Sequence, residues 1–264
     1  MRAMNEYAGQ PPVQATTGTF GSLRLYNLVM GLLHAAQGIA VLLLSNDFTL
    51  PVTATFMEGP PGTTGTLREL FQLPLGPAVA AFLFMSAAAH LIIVTPGMFE
   101  WYSRNLGRER NYARWIEYGF SSSLMIVLIA LITGISDVAA LIALFGVNAS
   151  MILFGWLMEK YEQPGHPSWL SYWFGVLAGA VPWVAIGIYL WAPGVAAEPP
   201  AFVYGIFVSL FVFFNSFAIN MVLQYRQVGP WRSYVFGESV YILLSLTAKS
   251  ALAWQVFANT LVPS

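Results

Sequence analysis

Seven apolar runs, each about as long as the roughly 20-residue helix that spans a bilayer, constrain this chain more than any other feature. They lie at 23–44, 75–95, 112–133, 138–158, 169–191, 202–223 and 234–257. The third and fourth are separated by little more than Gly134-Ile135-Ser136-Asp137, which predicts a tight hairpin of helices. Charged residues make up 9% of the chain, against about a quarter in soluble domains. The expected fold class is an all-α membrane protein, a seven-transmembrane helix bundle with almost nothing outside the bilayer. A net charge of −1 gives no signal for nucleic acid, and the absence of Cys excludes disulfides and thiolate metal sites. The polar stretch 1–21 is too long before the first apolar run to be a signal-peptide n-region, so it reads as a short tail. The expected organisation is therefore a tail at 1–21, a bundle at 22–258 and a second tail at 259–264.

The basic residues predict an orientation. Arg2 and Arg24 flank the first span on its N-terminal side. Arg104, Arg108, Arg110 and Arg114 lie between spans two and three, Lys160 between four and five, and Arg226 and Arg232 between six and seven. Nine of the eleven Lys and Arg thus fall on one side, the others being Arg68 and Lys249. The positive-inside rule places the N-terminus in the cytoplasm and the C-terminus outside, a multi-pass protein of the cell membrane. The longest loop, 45–74, is then extracellular. Its segments 49–56 and 63–70 are rich in Thr, Val and Leu and flank Gly59-Pro60-Pro61-Gly62, which predicts a small β-hairpin.

Within the seventh run, Tyr241 to Trp254, sits Lys249. An ammonium at that depth costs about 2.5–3.5 kcal/mol on insertion scales. It can pair with a carboxylate, lose its proton, or condense with an aldehyde to a Schiff base. Snorkelling to an interface is the alternative, but a helical side chain leans toward its own N-terminus, away from the nearer helix end beyond Trp254. Of twelve Asp and Glu, ten fall in tails, loops or span ends; Glu117 and Glu238 remain. Glu238 precedes Lys249 by eleven residues, roughly 16 Å along one helix and too far for a direct pair. Glu117 meets Lys249 if spans three and seven are neighbours; the competing reading pairs it with Arg114, its i−3 neighbour.

The stretches Arg114-Trp115-Ile116-Glu117-Tyr118 and Ser245-Leu246-Thr247-Ala248-Lys249 resemble the third- and seventh-helix signatures of microbial-type retinal proteins. The chain departs from the pumping members. Ser245 stands where they usually have a second aspartate, and Ser121 and Leu128 stand where they carry Thr and a carboxylate donor. Phe211 to Phe217 replaces their tryptophan-rich sixth-helix pattern. A cytoplasmic N-terminus, a long outer first loop, a lone Glu and Ser before the lysine together make the chain similar to the heliorhodopsins across all seven spans.

That resemblance implies all-trans retinal covalently bound to Lys249 as a protonated Schiff base, with Glu117 as counterion and Ser245 beside the imine. It implies a proton-accepting cavity around His34 and His90, with Gln37 and Ser86 one turn from them and Arg114 nearby. Expected polyene-pocket residues are Tyr118, Ser122, Asn148, Met151, Trp183 after Pro182, and Phe214. His166, in a loop, reads as solvated. The implied function is light sensing: isomerisation, internal proton transfer without net pumping, and a change read by a cytoplasmic signalling partner, in a homodimer to which the outer hairpin can contribute. It is not an enzymatic reading. A light-gated channel or transporter is the alternative, and a zinc hydrolase using His34 and His90 has no compact metal motif to support it.

Overall fold

The computed structural model describes residues 17–191 and 198–263. Its elements are α1 (Thr17–Leu44), β1 (Thr49–Phe56), β2 (Thr66–Pro74), α2 (Leu75–Ile93), α3 (Pro96–Leu106), α4 (Tyr112–Ile132), α5 (Val138–Tyr161), α6 (Leu170–Trp191), α7 (Ala201–Tyr225) and α8 (Tyr234–Val256), the last continued by a π turn, Phe257–Leu261. Among the described residues, every α-helix but α3 is long and apolar enough to cross a membrane, giving seven candidate spans. The chain is a seven-helix membrane bundle with a two-stranded antiparallel sheet. Residues 1–16 of the expected N-terminal tail and Ser264 lie outside the described residues. Helix α1 begins inside the 1–21 tail, and the π turn reaches into 259–264.

Local chemistry sets the helix starts. The Asn111 side chain accepts from Arg114 N–H and caps α4, while Asp137 accepts from Ala139 and Ala140 N–H and caps α5. Between them Gly134 takes φ +99°, a left-handed conformation that costs glycine little, and the chain reverses within five residues, Thr133 to Asp137. Helix α3 is absent from the run-based reading because its pattern is amphipathic rather than continuously apolar. Pro96 opens it, Tyr102 and Leu106 face the bundle, and polar residues face away.

Helix α1 packs on α2, α2 on α4, α4 on α5, α5 on α6, and α7 on α8, which returns to α1. Helices α6 and α7 meet through aromatic side chains. Trp183, next to the helix-interior Pro182, sets its ring edge-on to Phe207, Phe211 and Phe214, each 5.4 Å away. The main apolar core, including Phe82, Leu83, Ile129, Ile186 and Ile206, lies nearer the sheet. Large apolar residues such as Ile142, Leu177 and Val208 are exposed on the outer helix faces, as a lipid-facing surface requires.

The hairpin forms, with its second strand shifted from 63–70 to Thr66–Pro74. Thr49 pairs with Pro74 and Phe56 with Thr66, with a bulge between Val52 and Thr53. Thr63 is taken by the turn, where its hydroxyl donates to Pro60 O, and Leu70 to Leu73 supply the strand's second half. Thr53, beside the bulge, meets the α4–α5 connection. Its N–H donates to Ser136 O at 2.8 Å, and the two hydroxyls lie 2.9 Å apart.

Gly155 gives α5 its close approach to α4: a Cβ there would stand 2.5 Å from the Trp115 ring, whereas one at Gly146 of the same helix would meet open space. Gly155→Ala should therefore lower the thermal unfolding midpoint, at an overpacking cost of about 1–3 kcal/mol, and Gly146→Ala should not. Equal midpoints for the two variants would contradict the packing.

Candidate functional site

Helices α4 and α8 meet largely through side chains, and the principal contact is between charges. Lys249 Nζ donates to Glu117 Oε1 and to Ser245 Oγ, both at 2.9 Å, and lies 5.1 Å from the Tyr118 ring centroid. The lysine is 3% exposed. Ser245 is its i−4 neighbour, so the side chain runs back along its own helix as the lean of helical residues dictates. Glu117 Oε1 also accepts from Ser86 Oγ of α2 at 2.6 Å. The carboxylate is thus gripped from two helices while its own helix supplies its backbone.

On the other side of Lys249 the bundle encloses a cavity of about 290 Å³ between α4, α5, α6, α7 and α8. Of the expected pocket residues, Lys249, Ser245, Tyr118, Ser122, Met151, Trp183 and Phe214 line it. Asn148 does not. It is buried behind the wall, donating to Ser122 Oγ at 2.9 Å and Ser123 Oγ at 3.1 Å, so it orients a lining hydroxyl instead. The sequence reading missed Trp115, Tyr172, Gly179 and Phe217, which also line the cavity. Gly179 lies four residues before Trp183, and Phe217 three after Phe214, so one-turn spacing from the expected residues was the available signal.

His34 and His90 stack, ring centroids 5.8 Å apart and planes 13° from parallel. Asn27 Nδ2 donates to Leu23 O, which turns its Oδ1 toward His90 Nδ1 at 2.8 Å. Neutral His90 thus donates through Nδ1 and keeps the Nε2 lone pair free to accept. His34 is fully buried, and neither ring nitrogen has a hydrogen-bond partner among the described residues. Gln37 stands apart from this pair: its Oε1 accepts from Trp254 Nε1 at 2.9 Å. Three residues along a helix leave it about 60° out of line with His34, enough for its amide to reach α8.

Arg114 is not bonded to Glu117. Its guanidinium lies between the rings of Trp115 (4.4 Å) and Tyr241 (4.1 Å) and forms ion pairs with Glu159, at 2.5 Å, and with Glu238. Glu159, expected at a span end, is 7% exposed because α5 continues to Tyr161 and carries it inside. Tyr102 of α3 covers the region; its burial pushes the phenol up to about 12, so it remains a neutral hydroxyl. A second cavity, of about 30 Å³, is lined by Asn27, His90, Tyr102, Arg114, Glu117 and Glu238, among others. His166 is exposed in its loop. No group of three His, Asp or Glu able to hold a metal occurs among the described residues.

The arrangement combines an amine held ready for covalent chemistry, a carboxylate to balance a cation on it, and an apolar chamber beside both. A family model described as Heliorhodopsin matches residues 23–261. No curated protein matches the chain.

Removing Lys249 leaves Glu117 a buried carboxylate without its cation. In protein prepared without retinal, Lys249→Ala should cost about 3–5 kcal/mol in unfolding free energy. Adding Glu117→Gln to it should recover part of that loss. A double variant no more stable than the single one would show that the two groups are not coupled.

Proposed function

The chain belongs to the heliorhodopsin family, whose members are retinal photoreceptor proteins, and from that membership we propose that Lys249 carries all-trans retinal as an imine on Nζ, with Glu117 as its counterion. The observation that carries the reading is the 2.9 Å contact between Lys249 Nζ and Glu117 Oε1 at the wall of the 290 Å³ cavity. Small-molecule sites run from about 300 to 1,000 Å³ and are mostly apolar. The Tyr118, Met151, Trp183 and Phe214 walls fit a polyene, and the buried amine fits its aldehyde end. When bound, retinal supplies light absorption and an isomerisation that turns the nitrogen's hydrogen to a new direction.

The protein's residues do the rest. Glu117 favours the protonated nitrogen in the dark, because a carboxylate stabilises a cation at hydrogen-bond distance. Ser86 fixes the carboxylate, and Ser245 gives the nitrogen a neutral second partner that adds no charge. Trp183, with Phe211 and Phe214 edge-on to it, forms a stiff wall. His34 and His90, with Ser86 and Arg114 bordering them, form the polar space that the proton enters on leaving the nitrogen. Leu128 is fully buried among apolar residues, so the span offers no donor carboxyl at the place where pumps carry one. The proton is therefore returned rather than moved across, and the output is a conformational signal. The cytoplasmic N-terminus, the homodimer and a cytoplasmic signalling partner are part of the same proposal.

Retinal added to the expressed protein should give a visible absorption band. Lys249→Ala should remain colourless, and Glu117→Gln should shift the band. Pigment in Lys249→Ala would overturn the covalent site, while a light-dependent current would favour the channel reading over the sensor.

A further inference from the structure

The second charge cluster does not balance. Arg114 contributes one positive charge against two buried carboxylates, Glu159 and Glu238, which are 7% and 0% exposed. The other titratable groups around it are His90 on α2, Tyr102 on α3, Glu117 and Tyr118 on α4, Tyr225 on α7, and Tyr234 and Tyr241 on α8. None supplies a second cation when His90 is neutral, and Glu117 is already matched by Lys249. Among the described residues the cluster therefore carries one surplus negative charge inside the bundle. A surplus charge in a low-dielectric interior is costly, and one proton removes it.

The two carboxylates are held unequally. Glu159 accepts from Arg114 Nη2 (2.5 Å), Trp115 Nε1 (2.5 Å), Tyr234 OH (2.7 Å) and Asn111 N–H (2.8 Å). Four donors thus occupy its two oxygens. Glu238 accepts from Asn111 Nδ2 at 2.6 Å and faces Arg114 Nη1. Of the pair, Glu238 and not Glu159 lines the 30 Å³ cavity, and Glu117 and His90 line it too. Such a volume is enough for a water, which needs roughly 10–15 Å³ by the same kind of measure.

We propose that Glu238 is the proton-storing group of the photocycle, reached from Glu117 through this small cavity. The role rests on the retinal reading above. The proton leaves Lys249 Nζ, where the bonding pair stays as a lone pair, passes Glu117 and the cavity, and binds a Glu238 oxygen. The total charge is unchanged: the Lys249–Glu117 pair goes from neutral to −1 and the Arg114 cluster from −1 to neutral. Because the cavity separates store and source, the proton does not recombine at once, as it would from Glu117 itself.

Two measurements test this. In the retinal-loaded protein, light-minus-dark infrared spectra should show a protonated-carboxyl C=O band in the long-lived state. The band should be lost in Glu238→Gln, move in Glu238→Asp and persist in Glu159→Gln. In protein without retinal, Glu238→Gln removes the surplus charge and should unfold at the same temperature or higher, whereas Glu159→Gln should unfold at a lower one. A lower midpoint for Glu238→Gln than for Glu159→Gln would overturn the surplus-charge argument. A deprotonated long-lived state with no carboxyl band, or with the band intact in Glu238→Gln, would overturn the storage role while leaving the pigment reading standing. No pigment at all would overturn both.

Discussion

An ammonium and a carboxylate that meet inside an apolar bundle cannot be placed independently. Each is costly to bury alone, so the Lys249–Glu117 contact requires α4 and α8 to keep one register and one separation. The rest of the site follows from that registration. Tyr118, one residue past Glu117, donates its hydroxyl to Tyr241 O on α8 at 2.9 Å, a second tie between the same two helices. Ser86 brings α2 to the pair, and the large cavity occupies the space that the lysine stem leaves on its other side. A bundle that slipped by one turn would lose the pair, the tyrosine tie and the chamber together.

The polar interior is divided into two cells that share one wall. In the first, Lys249 and Glu117 cancel. In the second, Arg114 is shared by Glu159 and Glu238 and held between two aromatic rings. Trp115 belongs to both environments, since its ring lines the large cavity while its Nε1 donates to Glu159. A change in the shape of the chamber therefore reaches the arginine through one rigid side chain, without a chain of adjustable contacts.

The spans were legible because an uninterrupted apolar run has one reading in a bilayer, and the charge pair was legible because Glu117 and Lys249 lay inside such runs. Where side-chain direction decided the outcome, the sequence said less. Gln37 and His34 sit on one helix, yet the amide turns to Trp254, and nothing in the spacing of α1 announces an indole from α8. Glu159 stood one residue past a run boundary that hydropathy places only to within a few residues, so a buried ligand of Arg114 read as an interfacial charge. Helix α3 and the register of β2 were hidden for a related reason. Both are short, of mixed polarity, and defined by what they cover: Tyr102 and Leu106 under one, the bulge at Thr53 beside the other.

Asn111 shows how narrowly such an interior chooses its residues. Its Oδ1 accepts from the N–H of Arg114, its Nδ2 points at Glu238, and its own N–H goes to Glu159. Aspartate begins helices as well as asparagine does elsewhere, but here it would set a second oxygen against an oxygen of Glu238. Serine is too short to reach across. The first turn of α4 is thus restricted to a carboxamide by a neighbour on another helix, a constraint of molecular identity that no helix-start preference contains.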